Sequence, residues 1–95
     1  MGGVTVTATE AISGDQVAAI ERQLASVVRS AGDVTGTQLT LRREADPGSG
    51  ALFVADVIAF HAGRGIAAHA VGASALEAGE TVVQELRRRL RPSAP

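Results

Sequence analysis

Two hydrophobic periods alternate along the chain, and each change of period marks an element. Val4-Thr5-Val6-Thr7-Ala8 alternates β-branched residues, which predicts a short strand. From Ser13 the period lengthens: Val17, Ile20, Leu24, Val27 and Val28 recur at helical spacing, with Ser13 or Asp15 placed to cap the helix and Ala31-Gly32 to close it. Gln38–Arg43 alternates again. The cluster Asp46-Pro47-Gly48-Ser49-Gly50 then turns the chain into a long strand, Leu52–His61, and Ala62-Gly63-Arg64-Gly65 turns it back into a strand over Ile66–Val71. Gly72 breaks that strand. Ser74 is placed to cap a second helix with Leu76, Gly79, Val83, Leu86 and Leu90 on one stripe. The predicted order is β-α-β-β-β-α. This is an α+β domain over residues 1–91, a four-stranded sheet with both helices on one face, followed by a short tail at 92–95.

The alternation also assigns the two faces. With the turn spanning Ala62–Gly65, His61 pairs with Ile66, Ala59 with Ala68 and Val57 with Ala70; across the other hairpin Leu41 pairs with Phe53 and Leu39 with Ala55. One face then collects Leu39, Leu41, Phe53 and Val57 with the small residues Ala55, Ala59, Ala68 and Ala70, which suits close helix packing. The other holds Thr40, Arg42, Asp56, Ala67 and His69 beside Leu52, Val54, Ile58, Phe60 and Val71. A sheet face with no helices over it is ordinarily polar. The five apolar residues therefore predict an interaction surface, with Val54, Ile58 and Phe60 accessible and the same patch meeting itself in a homodimer.

Composition narrows the classes of function. At 95 residues and 45% hydrophobic, the chain fits one domain that can enclose its own core. It has no cysteine, which excludes a disulfide framework and a thiolate metal site and suits a cytoplasmic protein. No apolar run reaches the roughly 18 residues of a membrane span, and Met1–Glu10 lacks a basic region followed by an apolar stretch. Every positive charge is arginine, and Lys, Asn, Tyr and Trp are absent, a composition typical of a GC-rich bacterial genome. The net charge of −1 argues against indiscriminate nucleic-acid binding, so the placement of charge carries more information than its sum.

No catalytic constellation stands out, and neither an enzyme, a cofactor nor a small-molecule substrate is expected. Nucleophile elbow, phosphate loop and zinc-helix motifs are all missing. Gly63-Arg64-Gly65 joins two strands with no helix behind it, so it reads as a hairpin turn. His61 and His69 fall on opposite faces of the sheet, which argues against a shared metal. His69 approaches Asp56 diagonally across strands, an arrangement that orients an imidazole but has no nucleophile beside it.

The arginines carry the stronger signal. Arg87, Arg88, Arg89 and Arg91 crowd the end of the second helix, where they complement its dipole. At about 100° per residue, Arg87, Arg88 and Arg91 fan out from the edge of the apolar stripe while Arg89 points elsewhere. Arg22 and Arg29 lie two turns apart on one side of the first helix. Packed side by side, the helices are expected to present one sparse basic surface, opposed by Glu21, Glu80 and Glu85, that meets a phosphate backbone.

Over Ala51–Leu90 the chain resembles the small ribosome hibernation-promoting factors. Ala51-Leu52-Phe53-Val54-Ala55-Asp56-Val57-Ile58-Ala59 leads through a Gly-containing turn to Gly65-Ile66-Ala67-Ala68-His69-Ala70-Val71-Gly72, then to an Ala-rich helix ending in Leu86-Arg87-Arg88-Arg89-Leu90. Ile66, Ala68, Ala70 and Gly72 occupy the positions of that family's Ile/Val-x-Ala-x-Ala-x-Gly strand. The amino-terminal half fits as well, with a short strand, a helix opening near Ile12-Ser13 and a strand ending in Arg42-Arg43. The resemblance implies a four-stranded sheet under two helices. It also implies binding in the decoding region of the small ribosomal subunit, silencing idle ribosomes under stress, with Arg22, Arg29, Arg87, Arg88 and Arg91 on phosphates of 16S ribosomal RNA. A protein-interaction module of the same fold, homodimerising through Leu52, Val54, Ile58, Phe60 and Val71, is the alternative reading.

Overall fold

A computed structural model describes residues 3–9, 11–46, 48 and 50–90. The elements follow as β1 (Gly3–Ala8), α1 (Gly14–Ala31), β2 (Val34–Asp46), β3 (Gly50–His61), β4 (Arg64–Gly72) and α2 (Ala75–Arg89), the α+β order predicted. Each helix opens on a serine. Ser13 Oγ accepts the Gln16 backbone N–H at 3.3 Å, and Ser74 Oγ accepts that of Glu77 at 3.0 Å, satisfying donors that a first turn leaves unpaired. The Glu77 carboxylate reaches back to the Ala73 N–H at 3.3 Å, a variant of the capping box. Of the two candidate caps for α1, Ser13 is the one used.

The sheet runs β1-β2-β3-β4, with β1 parallel to β2 and the other pairs antiparallel. α2 lies along β4 and β3, while α1 packs on α2 and β1. Ile20, Leu24, Leu39, Leu41, Val82, Val83 and Leu86 are almost wholly buried between these layers, and Ala55, Ala59, Ala68 and Ala70 line the sheet beneath them. The small residues let the helices approach closely. At the crossing of α1 and α2, a Cβ on Gly79 would overlap Ile20 Cγ1 and Cδ1.

Both hairpin registers differ from expectation by two residues. The β3–β4 turn is only Ala62-Gly63, at φ 52° and 81°, so Ala59 pairs with Ile66, Val57 with Ala68 and Ala55 with Ala70. Positive φ at both central residues is the turn whose twist matches paired strands. Arg64 and Gly65, expected in the turn, belong to β4. On the other side Leu41 pairs with Ala55 and Leu39 with Val57. Because side chains alternate with period two, an even slip keeps every residue on its face, and the predicted core face stands.

β2 and β3 outrun their neighbours. β1 ends opposite Leu41 and β4 ends opposite Phe53, so Glu44–Asp46 and Gly50–Leu52 continue as a two-stranded arm. Within the turn predicted at its tip, Pro47 and Ser49 lie outside the described residues, as do Arg91 and the tail at 92–95.

Candidate functional site

On the helical side, Arg22 of α1 and Arg87 of α2 line one open groove with Gln23, Ser26, Val27, Val83 and Gln84. Both arginines are exposed. The apolar stripes of the two helices meet beneath the groove, which brings the arginines flanking each stripe to a common edge. Gln23 Nε2 donates to Glu80 Oε2 at 3.1 Å and ties the helices together beside it. The arrangement offers two guanidinium groups and neutral hydrogen-bonding side chains to an anion.

The other arginines go elsewhere. Arg29 borders a separate hollow with Val4, Ala25, Val28 and Asp33, near the carboxyl end of α1. Arg88 is ion-paired with Glu85 one turn back. Arg91 lies outside the described residues. Arg89 borders a hollow on the open face of the sheet. Among the described residues the expected basic surface is therefore a pair, Arg22 with Arg87, plus scattered charges. Arg89 is the residue that sequence reasoning sent nowhere in particular. Helical spacing gave no sign of it: Arg89 follows Val82 and Leu86 on the core side of α2, and only the edge position of β4 beside that helix lets it border a hollow on the other face.

Across the sheet's open face the side chains stand in rows. One runs Thr7, Thr40, Asp56, His69 from β1 to β4; its neighbours run Thr5, Gln38, Ile58, Ala67 on one side, and Arg42, Val54, Val71 on the other. Asp56 and His69 are direct partners, where a diagonal contact was expected, and Asp56 Oδ1 lies 2.7 Å from His69 Nδ1. Arg42 Nη1 donates to Asp56 Oδ2, and its Nε to Glu44 Oε2, both at 2.7 Å. The hydrogen bond with His69 above all, joined by that from Arg42, holds the Asp56 carboxyl below its ordinary 3.8 against the opposing effect of partial burial. Among the described residues no three His, Asp or Glu side chains gather to hold a metal.

The apolar cluster on this face is smaller than predicted. Ile58, Phe60 and Val71 are 40%, 46% and 48% exposed, and Leu52 is half-buried. Val54, expected to be accessible, is only 4% exposed. Its row neighbours are Arg42 and Val71, and a guanidinium that reaches both Glu44 and Asp56 must lie across that row, so the arginine stem covers it. The Phe60 ring leans over its partner Gly65, where an added Cβ would sit 3.6 Å from Cε1.

No family model matches the sequence, and no curated protein matches it. Solved structures do. A ribosomal subunit interface protein from Coxiella burnetii has a TM-score of 0.76 to this chain, covering 95% of it and 93% of that protein, at 14% identity. The N-terminal domain of Protein Y from Thermus thermophilus gives 0.70, covering 95% of this chain and 96% of that one, at 16% identity. Among the described residues no helix is long and apolar enough to cross a membrane. Order, topology and nearly full mutual coverage agree: this chain has the fold of the ribosomal subunit interface protein and of the Protein Y N-terminal domain.

Proposed function

We propose that the chain is a cytoplasmic ribosome-binding domain of the hibernation-promoting kind. It acts by occupying the small subunit and not by catalysing a reaction. The observation that supports this most is the likeness to a ribosomal subunit interface protein over 95% of the chain. The groove holding Arg22 and Arg87 is then the contact with 16S ribosomal RNA, since two guanidinium groups from different helices suit backbone phosphate. Of the other arginines expected on phosphate, Arg29 borders a separate hollow and Arg88 is paired with Glu85, so neither is assigned to this groove. A patch engaging about two phosphates gives a shallow salt dependence, with a slope magnitude of roughly 2 or less.

Cosedimentation with small ribosomal subunits at two salt concentrations tests this reading. Wild-type protein is expected to bind at low salt and to weaken as salt rises. Arg22→Ala combined with Arg87→Ala weakens binding and flattens the salt dependence, because fewer counterions are released. Absence of wild-type binding at low salt refutes the ribosome reading. Unchanged binding by the double variant removes the groove from the contact.

A second reading is favoured by the exposure of Ile58, Phe60 and Val71. In it the domain is a protein-interaction module that homodimerises through the open face of its sheet, with Leu52 and the covered Val54 at the margin of the patch.

A further inference from the structure

The open face of the sheet contains a hollow of about 420 Å³, within the size range of small-ligand sites. It lies over two adjacent rows. Ile58 and Ala67 provide an apolar floor, and the small Ala67 between Ile58 and His69 makes the dip. Gln38 and Thr40 bound the hollow on the β2 side and His69 on the β4 side, while Arg89 approaches from the end of α2.

The polar groups are prearranged and mixed in character. Asp56 uses one oxygen on His69 and the other on Arg42. As an acceptor it places the His69 ring proton on Nδ1, so in the neutral ring Nε2 is an acceptor facing a largely exposed surface. Gln38 and Thr40 each both donate and accept. A carboxylate or a sugar phosphate alone would call for donors; this set calls for a planar group that presents donors and acceptors along its edge. An apolar floor suits the face of such a group, and the one guanidinium at the rim suits one phosphate.

We propose that this hollow binds a single ribonucleotide, its base flat on Ile58 and Ala67, the base edge on Gln38, Thr40 and His69, and the phosphate on Arg89. The nucleotide is either free or an unstacked residue of a single-stranded RNA. The site is separate from the groove between the helices and stands whether or not the domain binds ribosomes; it shares Ile58 with the dimer contact, so a nucleotide and a second copy compete for this face.

The test is a titration of amide resonances with each of the four ribonucleoside 5′-monophosphates, with inorganic phosphate, and with a short oligouridylate. At millimolar ligand, at least one nucleotide is expected to shift Gln38, Thr40, Ala67 and His69 saturably. Gln38→Ala and His69→Ala, both at exposed positions, weaken that binding by about tenfold or more, while Arg22→Ala with Arg87→Ala leaves it intact. Tighter binding of the oligonucleotide identifies an RNA chain as the source; equal or weaker binding identifies the free nucleotide. The proposal is overturned if none of the ligands shifts these residues, if inorganic phosphate reproduces the whole effect, or if the helical double variant abolishes it.

Discussion

Asp56 and His69 stand directly opposite each other on β3 and β4, and the carboxylate that joins them also accepts from Arg42, so three strands are linked on the open face of the sheet. The folded state holds the Asp56 carboxyl below its ordinary value, chiefly through His69. A depressed carboxyl contributes stability above its unfolded value and loses it as pH falls through the folded one. Asp56→Asn is therefore expected to lower stability at neutral pH, and the deficit should fade as pH falls through the depressed range of the carboxyl. The side chains are 43% and 58% exposed, so screening limits the effect to about 1 kcal/mol or less. Urea midpoints of both proteins at neutral and acid pH check it; a difference that does not change with pH contradicts the assignment.

Ile20 and Gly79 fix how closely the helices approach. Gly79→Ala gains helix propensity of about 1 kcal/mol, yet its Cβ meets Ile20, which is fully buried and has nowhere to move. Overpacking should win, with a net loss of about 1–2 kcal/mol and a lower melting temperature. Ile20→Val in the same chain removes Cδ1 and should recover part of the loss, a coupling that a double-mutant cycle measures.

Thr37 lies on the core face of β2 at 3% exposure, and its Oγ1 has no hydrogen-bond partner among the described residues. An unpaired buried hydroxyl costs roughly 1–3 kcal/mol. Thr37→Val keeps the shape and removes the polar atom, so it should stabilise the fold by about 1 kcal/mol, read as a higher denaturation midpoint. A loss of stability would place a bound water on that hydroxyl.

The elements and the two sheet faces were legible in the residues because period alone determines them: Val17, Ile20 and Leu24 repeat as a helix does, and Leu39 and Leu41 alternate as a strand does. The registers were not. Ala62 at positive φ gives no sign of a two-residue turn, since asparagine or glycine is the usual occupant there. The cover over Val54 was hidden for another reason, because it depends on a long Arg42 stem reaching acceptors on two strands. Periodicity foresaw arginines on both helices, but only packing determines that Arg22 meets Arg87 and not Arg29.

The exposed residues Ile58, Phe60 and Val71 lie on β3 and β4, on the face away from both helices. The charged groups among them, Arg42, Glu44, Asp56 and His69, are already paired with one another, so a second copy of this face meets few unpaired charges. Burying three such side chains from each copy contributes about 1.5–3 kcal/mol apiece before the cost of association, which supports a dimer of modest affinity. Wild-type protein is expected to show a dimer's molar mass at high micromolar concentration and to dissociate on dilution. Ile58→Glu puts two carboxylates near the two-fold axis of an isologous contact and should yield a monomer at every concentration. Since Ile58 is 40% exposed in the single chain, the variant should keep its wild-type circular dichroism and melting profile as a monomer. A wild-type monomer throughout the concentration series rules out this dimer. A variant that dimerises as the wild type does moves the contact to another surface.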